Sequence, residues 1–419
     1  MFKVLLLALV WASCLDPIPP ETITQPGNGS VGGTVTDFCK GTAMEGVDVM
    51  AKSGGDQRLG ASTGAGGAFK VADLSPGTWT ISLSKTGYQT LEKSVLVQSD
   101  RHQQLKLTLT PSYKPTISAA KLDLLFVVDN SGSMEQEQKN LADAFPKFMS
   151  SLLGFKLLLD LRVGVISTDL GAGKYVDNAC VTGGDGGKLL KRASSAGCPL
   201  PTADYISVKY TDGTKSESNV PGDQVVQAFS CMVKLGTDGC GFEQTLGSLS
   251  KALATGTNPG FLRQDAALAV VILTDEDDCT ADNESLFDPS QQGLNDPLGP
   301  LTSFRCFEFG VTCTCSGQAE CTRFTQGIRT GCKPRTGSYL FDPAKLVKEL
   351  EALEALRGPG RLYLAVIGGP TSSVQVGTQG SYPTLKPSCS STAGFAVPAV
   401  RLKYVTDALA PSSSFDDIC

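Results

Sequence analysis

The second half of the chain carries oxygen-bearing side chains at spacings that suit a hard cation. Asp129-Asn-Ser131-Gly-Ser133 follows directly on the apolar run Leu124-Leu-Phe-Val-Val128, and Asp275 follows a second such run, Leu268-Ala-Val-Val-Ile-Leu-Thr274. Carboxylates and hydroxyls are hard donors, suited to Mg²⁺, Mn²⁺ or Ca²⁺ rather than zinc or copper. Ser131 and Ser133 stand two apart on a tight loop, so both oxygens can point at one place, and Gly132 relaxes the turn between them. The acidic residues after Asp275 (Glu276, Asp277 and Asp278) read as a solvated loop rather than a second calcium site. His102 is the single histidine, which argues against His-dependent triads, His-ligated zinc enzymes and His general bases. No nucleophile is paired with a base, so the site reads as non-catalytic.

Strands and helices must position those residues. Strand-like runs at 122–128, 161–167, 268–274 and 361–367 alternate with helix-like segments at 135–153, 223–235, 243–255 and 343–356. Near-continuous apolar strands are buried on both faces, and their alternation with helices implies an α/β doubly wound, mostly parallel sheet. Asp129 and Asp275 then lie at carboxyl ends of neighbouring strands, where open α/β sheets bind ligands. After the motif, Met134, Leu141, Phe145, Phe148, Met149 and Leu152 form a core-facing helical stripe, with a kink expected at Pro146. Leu346, Leu350, Leu353 and Leu356 form a second stripe, opposite a solvated side with Glu349, Glu351 and Glu354.

The motif after its apolar strand, with Leu273-Thr-Asp275 downstream, resembles the von Willebrand factor type A family, whose Asp-x-Ser-x-Ser motif builds a metal-ion-dependent adhesion site. The resemblance covers about residues 121–419 and implies a Rossmann-type fold. It implies the motif roles for Asp129, Ser131 and Ser133, the acidic role for Asp275 and the distal hydroxyl for Thr237, with Thr168 and Thr245 offering other hydroxyls. In that family the direct protein ligands are largely neutral hydroxyls, and the aspartates often act through water. A divalent cation held so, Mg²⁺ in first place, stays electrophilic and can take a carboxylate from a partner protein. The further run of Thr168-Asp-Leu-Gly-Ala-Gly173, Gly239-Cys-Gly-Phe-Glu-Gln244 and a Cys-rich tail is similar to lipoproteins of myxobacterial type.

Residues 1–14, MFKVLLLALVWASC, place Lys3 before a short apolar run. A bilayer span needs about 20 apolar residues, so this run suits a signal peptide instead. Ala12-Ser13-Cys14 resembles a bacterial lipobox, which makes Cys14 a lipidated membrane anchor, and Leu15 by the same resemblance permits transfer to the outer membrane. Residues 15–28, with several prolines, read as an extended tether. Over 29–112, alternating runs at 31–35, 47–49, 69–71, 79–83, 95–97 and 105–109 are separated by turn residues, as in a small antiparallel β-sandwich. The unit Gly67, Phe69, Leu74, Pro76, Gly77, Thr80, Gly87 and Tyr88 resembles the carboxypeptidase regulatory-like family, which implies a transthyretin-like sandwich serving as a spacer. Trp79 and Tyr88 are its candidates for stacking on a glycan.

Of the 419 residues, 36 are Lys or Arg and 42 are Asp or Glu, a net charge of −6 that disfavours nucleic acid. The 14 cysteines lack paired zinc knuckles and point to an oxidising compartment. With Cys14 lipidated, Cys39 is odd and reads as a buried free thiol. Cys180, Cys198, Cys231, Cys240, Cys279, Cys306, Cys313, Cys315, Cys321, Cys332, Cys389 and Cys419 are disulfide candidates. Insertions at about 169–222 and 278–341 follow strand ends on the motif side and are expected to frame the crevice; 205–210 within the first reads as an edge strand. The expected protein is a surface-anchored lipoprotein that binds a partner protein through a divalent cation, without catalysis. The alternatives are an envelope component that docks without metal, and glycan binding by the sandwich.

Overall fold

The computed structural model describes residues 27–37, 41–86, 88–110, 120–153, 159–175, 180–211, 213–222, 224–315, 321–392 and 394–419. Cys14, Cys39 and most of the tether lie outside them. The described residues form two compact units, one up to Thr110 and the other from Ala120 onward.

The first unit is a β-sandwich of β1 (Gly29–Asp37), β2 (Asp48–Ser53), β3 (Asp56–Leu59), β4 (Ala68–Leu74), β5 (Gly77–Ser84), β6 (Leu91–Val97) and β7 (His102–Leu109). One sheet has the order β4-β1-β7 and the other β3-β2-β5-β6. Pairing is antiparallel throughout except between β1 and β7, which run parallel. On β5, Trp79, Ile81 and Leu83 point into a core shared with Val31, Val35, Phe69, Val71, Val95 and Leu109. Strand β3 carries no alternation signal because all its residues are exposed. Trp79 is 1% exposed and donates its Nε1–H to Ser75 O at 2.8 Å, while Tyr88 is half-buried and donates its hydroxyl to Asp37. Trp79 is therefore not the open stacking face that the sequence offered for a glycan. Large apolar rings here are worth more inside the core than on the surface.

The second unit contains β8 (Ala120–Val128), α1 (Glu135–Leu153), β9 (Leu159–Ser167), β10 (Ile206–Thr211), β11 (Thr214–Ser218), α2 (Val225–Met232), α3 (Thr245–Leu253), β12 (Ala267–Leu273), α4 (Phe304–Gly310), β13 (Val311–Cys315), β14 (Gly327–Pro334), α5 (Pro343–Arg357), β15 (Leu362–Gly368), β16 (Val374–Gln379), β17 (Tyr382–Leu385), β18 (Cys389–Ser390), β19 (Phe395–Ala396), α6 (Val400–Ala408) and β20 (Ser413–Asp417). Its main sheet has the order β11-β10-β9-β8-β12-β15-β20. The neighbours from β9 to β20 are parallel, and β10 and β11 add an antiparallel edge. Helices α1 and α2 pack on one face through Phe145 and Phe229, and α3, α5 and α6 on the other through Leu249, Leu350 and Leu402. Chain order leaves β8 for β9 on one side and returns to β12 on the other. The ends of β8 and β12 therefore meet at a topological switch point, the place where such sheets leave a crevice.

Two local expectations are corrected, and α1 shows how a helix accommodates its proline. Helix α1 continues through Pro146; the Ala142 carbonyl, which a proline cannot satisfy, accepts from Ser230 Oγ at 3.4 Å. Strand β10 is not the edge, since β11 pairs outside it. Leu356 is exposed, and the last turn of α5 buries Arg357 instead.

The acidic run after β12 is not a solvated loop, since Asp277 and Asp278 are both buried. Asp277 accepts from the N–H groups of Arg401 at 3.0 Å and Leu402 at 3.2 Å, donors that the first turn of α6 leaves without helical partners. Asp278 does the same for Leu246 at 2.8 Å in the first turn of α3, and its other oxygen takes the fully buried Arg401 guanidinium at 2.9 Å. Two neighbouring carboxylates thus fasten two helices to the end of the central strand.

The second insertion is organised by Arg305, whose guanidinium donates to the backbone carbonyls of Leu286, Asp288, Gln291, Gly299 and Pro300. The disulfides are Cys180–Cys240, Cys198–Cys231, Cys279–Cys306, Cys313–Cys332, Cys315–Cys321 and Cys389–Cys419. The cysteines of the first insertion tie it to the α2–α3 region. Those of the second insertion close on themselves.

Replacing Arg401 with Met would leave the Asp278 carboxylate buried without a counterion. A loss of about 3–5 kcal/mol is expected for the second unit. Urea denaturation of the full chain measures it; a midpoint equal to wild type would refute this account of the ion pair.

Candidate functional site

Asp129 leaves the end of β8 with its N–H donated to Leu273 O at 2.9 Å, which holds the ends of β8 and β12 together. Its carboxylate is fully buried and accepts from Ser131 N at 2.8 Å and from Thr274 Oγ1 at 2.7 Å. The turn from Asp129 to Ser131 is therefore closed by the Asp itself, as short acidic side chains do in loops. Gln138, one helical turn into α1, donates to Asp129 O at 2.8 Å and to Gly236 O at 2.9 Å, and accepts from Gly236 N at 3.2 Å. Gly239 N donates to Asn130 O at 2.9 Å. A Cβ at Gly239 would lie 2.4 Å from the Asn130 side chain, so this close approach requires glycine.

These bonds pin the loop 236–239 over the motif. Thr237 lies in that loop, half-buried. Of the other hydroxyls, Thr168 and Thr245 are fully buried, and each Oγ1 lacks a partner. Residues Glu243 and Gln244 bridge the strand ends from the far side. Cys279 N donates to Glu243 O at 2.7 Å, and Gln244 N donates to Thr168 O at 2.9 Å. Asp275 O accepts from Val397 N at 2.9 Å, which brings in the β18–β19 hairpin.

The structure brings Asp129, Ser131, Ser133 and Asp275 together, and adds Glu137 and Glu243, which the sequence did not single out, and Glu276, which it read as part of a solvated loop. Burial, then the charge of Asp129, pushes Asp275 up to about 7, and the Ser133 hydroxyl beside it pulls the other way. Glu276 is pushed to about 7 by burial and Asp129, against contacts with Glu243 and Ser303. Glu243 is raised well above the ordinary carboxylate range by burial and by the charges of Glu276, Asp129 and Asp275. Glu137 is raised by burial and by Asp129, and burial raises Asp129 itself.

Among the described residues no Lys or Arg forms an ion pair with any of these five carboxylates. Ser131 Oγ, Asn130 Oδ1, Glu137 Oε2, Glu243 Oε2 and Asp275 Oδ1 are buried without hydrogen-bond partners. Buried charge without a counterion is strongly unfavourable, so these carboxylates must hold protons or share a cation, and hard oxygen donors of this kind suit a divalent one. Among the described residues only Cys389, Asp417 and Cys419 make a trio of acids, cysteines or histidines with ligand-type atoms all within 4.8 Å of one another, and its two sulfurs form a disulfide and offer no thiolate; no three of the site's carboxylates come that close.

Both insertions reach the site. Ala172 and Cys180 from the first pack with Cys279, Leu286, Phe287 and Cys306 from the second, together with Cys240 and Phe242 just before Glu243. The signal that could have marked Glu243 was an acidic residue set between Phe242 and a helix of buried residues.

Residues 30–110 match the family model of the carboxypeptidase regulatory-like domain. No curated protein matches the chain. Among solved structures, the Bacillus anthracis TIE protein is similar at 14% identity and a TM-score of 0.19, over 24% of this chain and 19% of that one. A minor pilin of Streptococcus agalactiae is similar at 13% identity and a TM-score of 0.19, over 22% of this chain and 49% of that one. The 5-hydroxyisourate hydrolase of Klebsiella pneumoniae is similar at 20% identity and a TM-score of 0.18, over 20% of this chain and 92% of that one. The chain thus spans about a fifth of the first and about half of the second.

The raised carboxylates set a pH dependence. With Asp275 and Glu276 near 7 in the folded chain, against ordinary values of about 4, the folded state holds more protons than the unfolded one between those limits. Stability from these groups therefore falls as pH rises through that window. In EDTA the melting temperature is expected to be higher near pH 5 than near pH 8, and Asp275→Asn with Glu276→Gln should flatten the slope. Stability that climbs towards pH 8 in EDTA and is untouched by the double variant would contradict this.

Proposed function

We propose that the second unit is a von Willebrand factor type A-like domain that binds a partner protein through a divalent cation, without catalysis. The observation that carries this reading is the set of buried, unpartnered oxygens on Ser131 and Asp275, within a carboxylate cluster that has no cationic side chain among the described residues. Asp129, Ser131, Ser133 and Asp275 would hold the cation, Mg²⁺ or Mn²⁺ before Ca²⁺. Bound there, it would supply a Lewis-acidic position for an oxygen donor of the partner, a carboxylate in first place. Asp129 orients the loop through Ser131 N, and Thr274 fixes the Asp129 carboxylate so that it cannot turn away.

The disulfides belong to an oxidising compartment, which supports an extracytoplasmic place for the chain. Among the described residues no helix is long and apolar enough to cross a membrane. A lipid on Cys14 would supply the anchor, most naturally in the outer membrane, and the tether and the carboxypeptidase regulatory-like sandwich would serve as spacers. The burial of Trp79 takes away one of the two stacking residues that a glycan-binding sandwich would use.

Asp129→Ala is expected to abolish Mg²⁺ and Mn²⁺ binding by calorimetry. It should also abolish Mg²⁺-dependent capture of the partner from envelope extract. Unchanged metal binding in that variant would overturn the proposal, and capture that persists in excess EDTA would favour a metal-independent docking surface.

A further inference from the structure

This step rests on the reading just given and concerns the residue that completes the site. We infer that Glu243, rather than the Thr237 hydroxyl, is the distal residue that holds the divalent cation, so that the site is one carboxylate richer than the type A pattern.

Position carries the argument. Glu243 stands just before α3, with its carbonyl held by Cys279 N at 2.7 Å. The next residue is fastened three ways: Gln244 N to Thr168 O at 2.9 Å, Gln244 Nε2 to Gly171 O at 2.5 Å, and Ala281 N to Gln244 Oε1 at 3.2 Å. Upstream, Cys240 is tied to Cys180 by a disulfide. The backbone at 243 is thus held from both sides between the segments that follow β9 and β12. Its side chain is 2% exposed, and Oε2 has no hydrogen-bond partner. The charged groups that bear on it are Glu276, Asp129 and Asp275, all acidic.

A buried carboxylate set among other acids must either take up a proton or have its charge offset. A cation shared with Asp129 and Asp275 does so. Thr237 faces no such requirement, because it is half-buried in the loop between Gly236 and Gly239, where water can satisfy its hydroxyl. Exchanging a neutral hydroxyl for a carboxylate adds a hard, charged donor. The cation is then held more tightly and keeps less residual charge for the partner.

The test is titration of the full chain with MnCl₂ and MgCl₂ near neutral pH, comparing wild type with Asp129→Ala, Glu243→Gln and Thr237→Ala. Glu243→Gln should weaken Mn²⁺ binding about tenfold or more, with Thr237→Ala changing it by less than roughly twofold. Melting in EDTA separates a ligand from a packing residue. Glu243→Gln should melt at or above wild type without metal and lose the rise that Mn²⁺ produces, whereas a packing role would lower the melt in EDTA. Wild-type Mn²⁺ affinity in Glu243→Gln, or a larger loss in Thr237→Ala, overturns the inference. Should Asp129→Ala lose binding while Glu243→Gln keeps it, only this assignment fails; should Asp129→Ala also keep it, the parent reading fails with it.

Discussion

Holding Asp129, Glu137, Glu243, Asp275 and Glu276 together at the ends of a parallel sheet, with no cationic side chain among the described residues to balance them, is the constraint around which the larger unit is arranged. Repulsion and desolvation both act to spread such groups apart. The structure resists by fixing the backbone that carries each one. Asp129 is tied to Leu273 across the strand ends, Glu243 to Cys279, and Asp275 to Val397. Disulfides Cys180–Cys240 and Cys279–Cys306 hold the flanking loops, so the chain cannot relax by letting the carboxylates drift into water.

The run from Asp275 to Asp278 shows how sharply neighbouring residues of one type can differ in role. Asp275 and Glu276 face the carboxylate cluster. Asp277 satisfies the free N–H groups at the start of α6, and Asp278 does so for α3 while pairing with Arg401. The same few residues that shape the crevice therefore also set the positions of two helices behind it. A substitution in the helix-capping pair would reach the site through the backbone, without touching a donor oxygen.

The insertions are substantial structures in their own right. Arg305 gathers the carbonyls of a loop that has little regular structure, and the two insertions share a small apolar core beside the site. Disulfides limit the freedom of the unfolded loops, and the arginine supplies hydrogen bonds that a sheet or helix would otherwise give. The walls of the crevice are thus held by covalent and hydrogen-bonded ties rather than by regular secondary structure alone.

Local pattern was sufficient for much of this. Runs of apolar residues revealed β8, β9, β12 and β15, alternation revealed most strands of the sandwich, and the Asp-x-Ser-x-Ser spacing located one half of the site, because burial repeats with the period of each element. Cysteine count and the lack of zinc knuckles were enough to foresee disulfides. What no local pattern contains is which distant segments come to lie side by side. The convergence of Glu137, Glu243 and Glu276 on Asp129, the partner of each cysteine, the capping roles of Asp277 and Asp278, and the burial of Trp79 all depend on the strand order and on the loops that cross its switch point. Sequence by itself determined the elements and the donors at the end of β8. Tertiary structure alone decided which charges must share one buried space, because burial and repulsion act through distance in the fold and not along the chain.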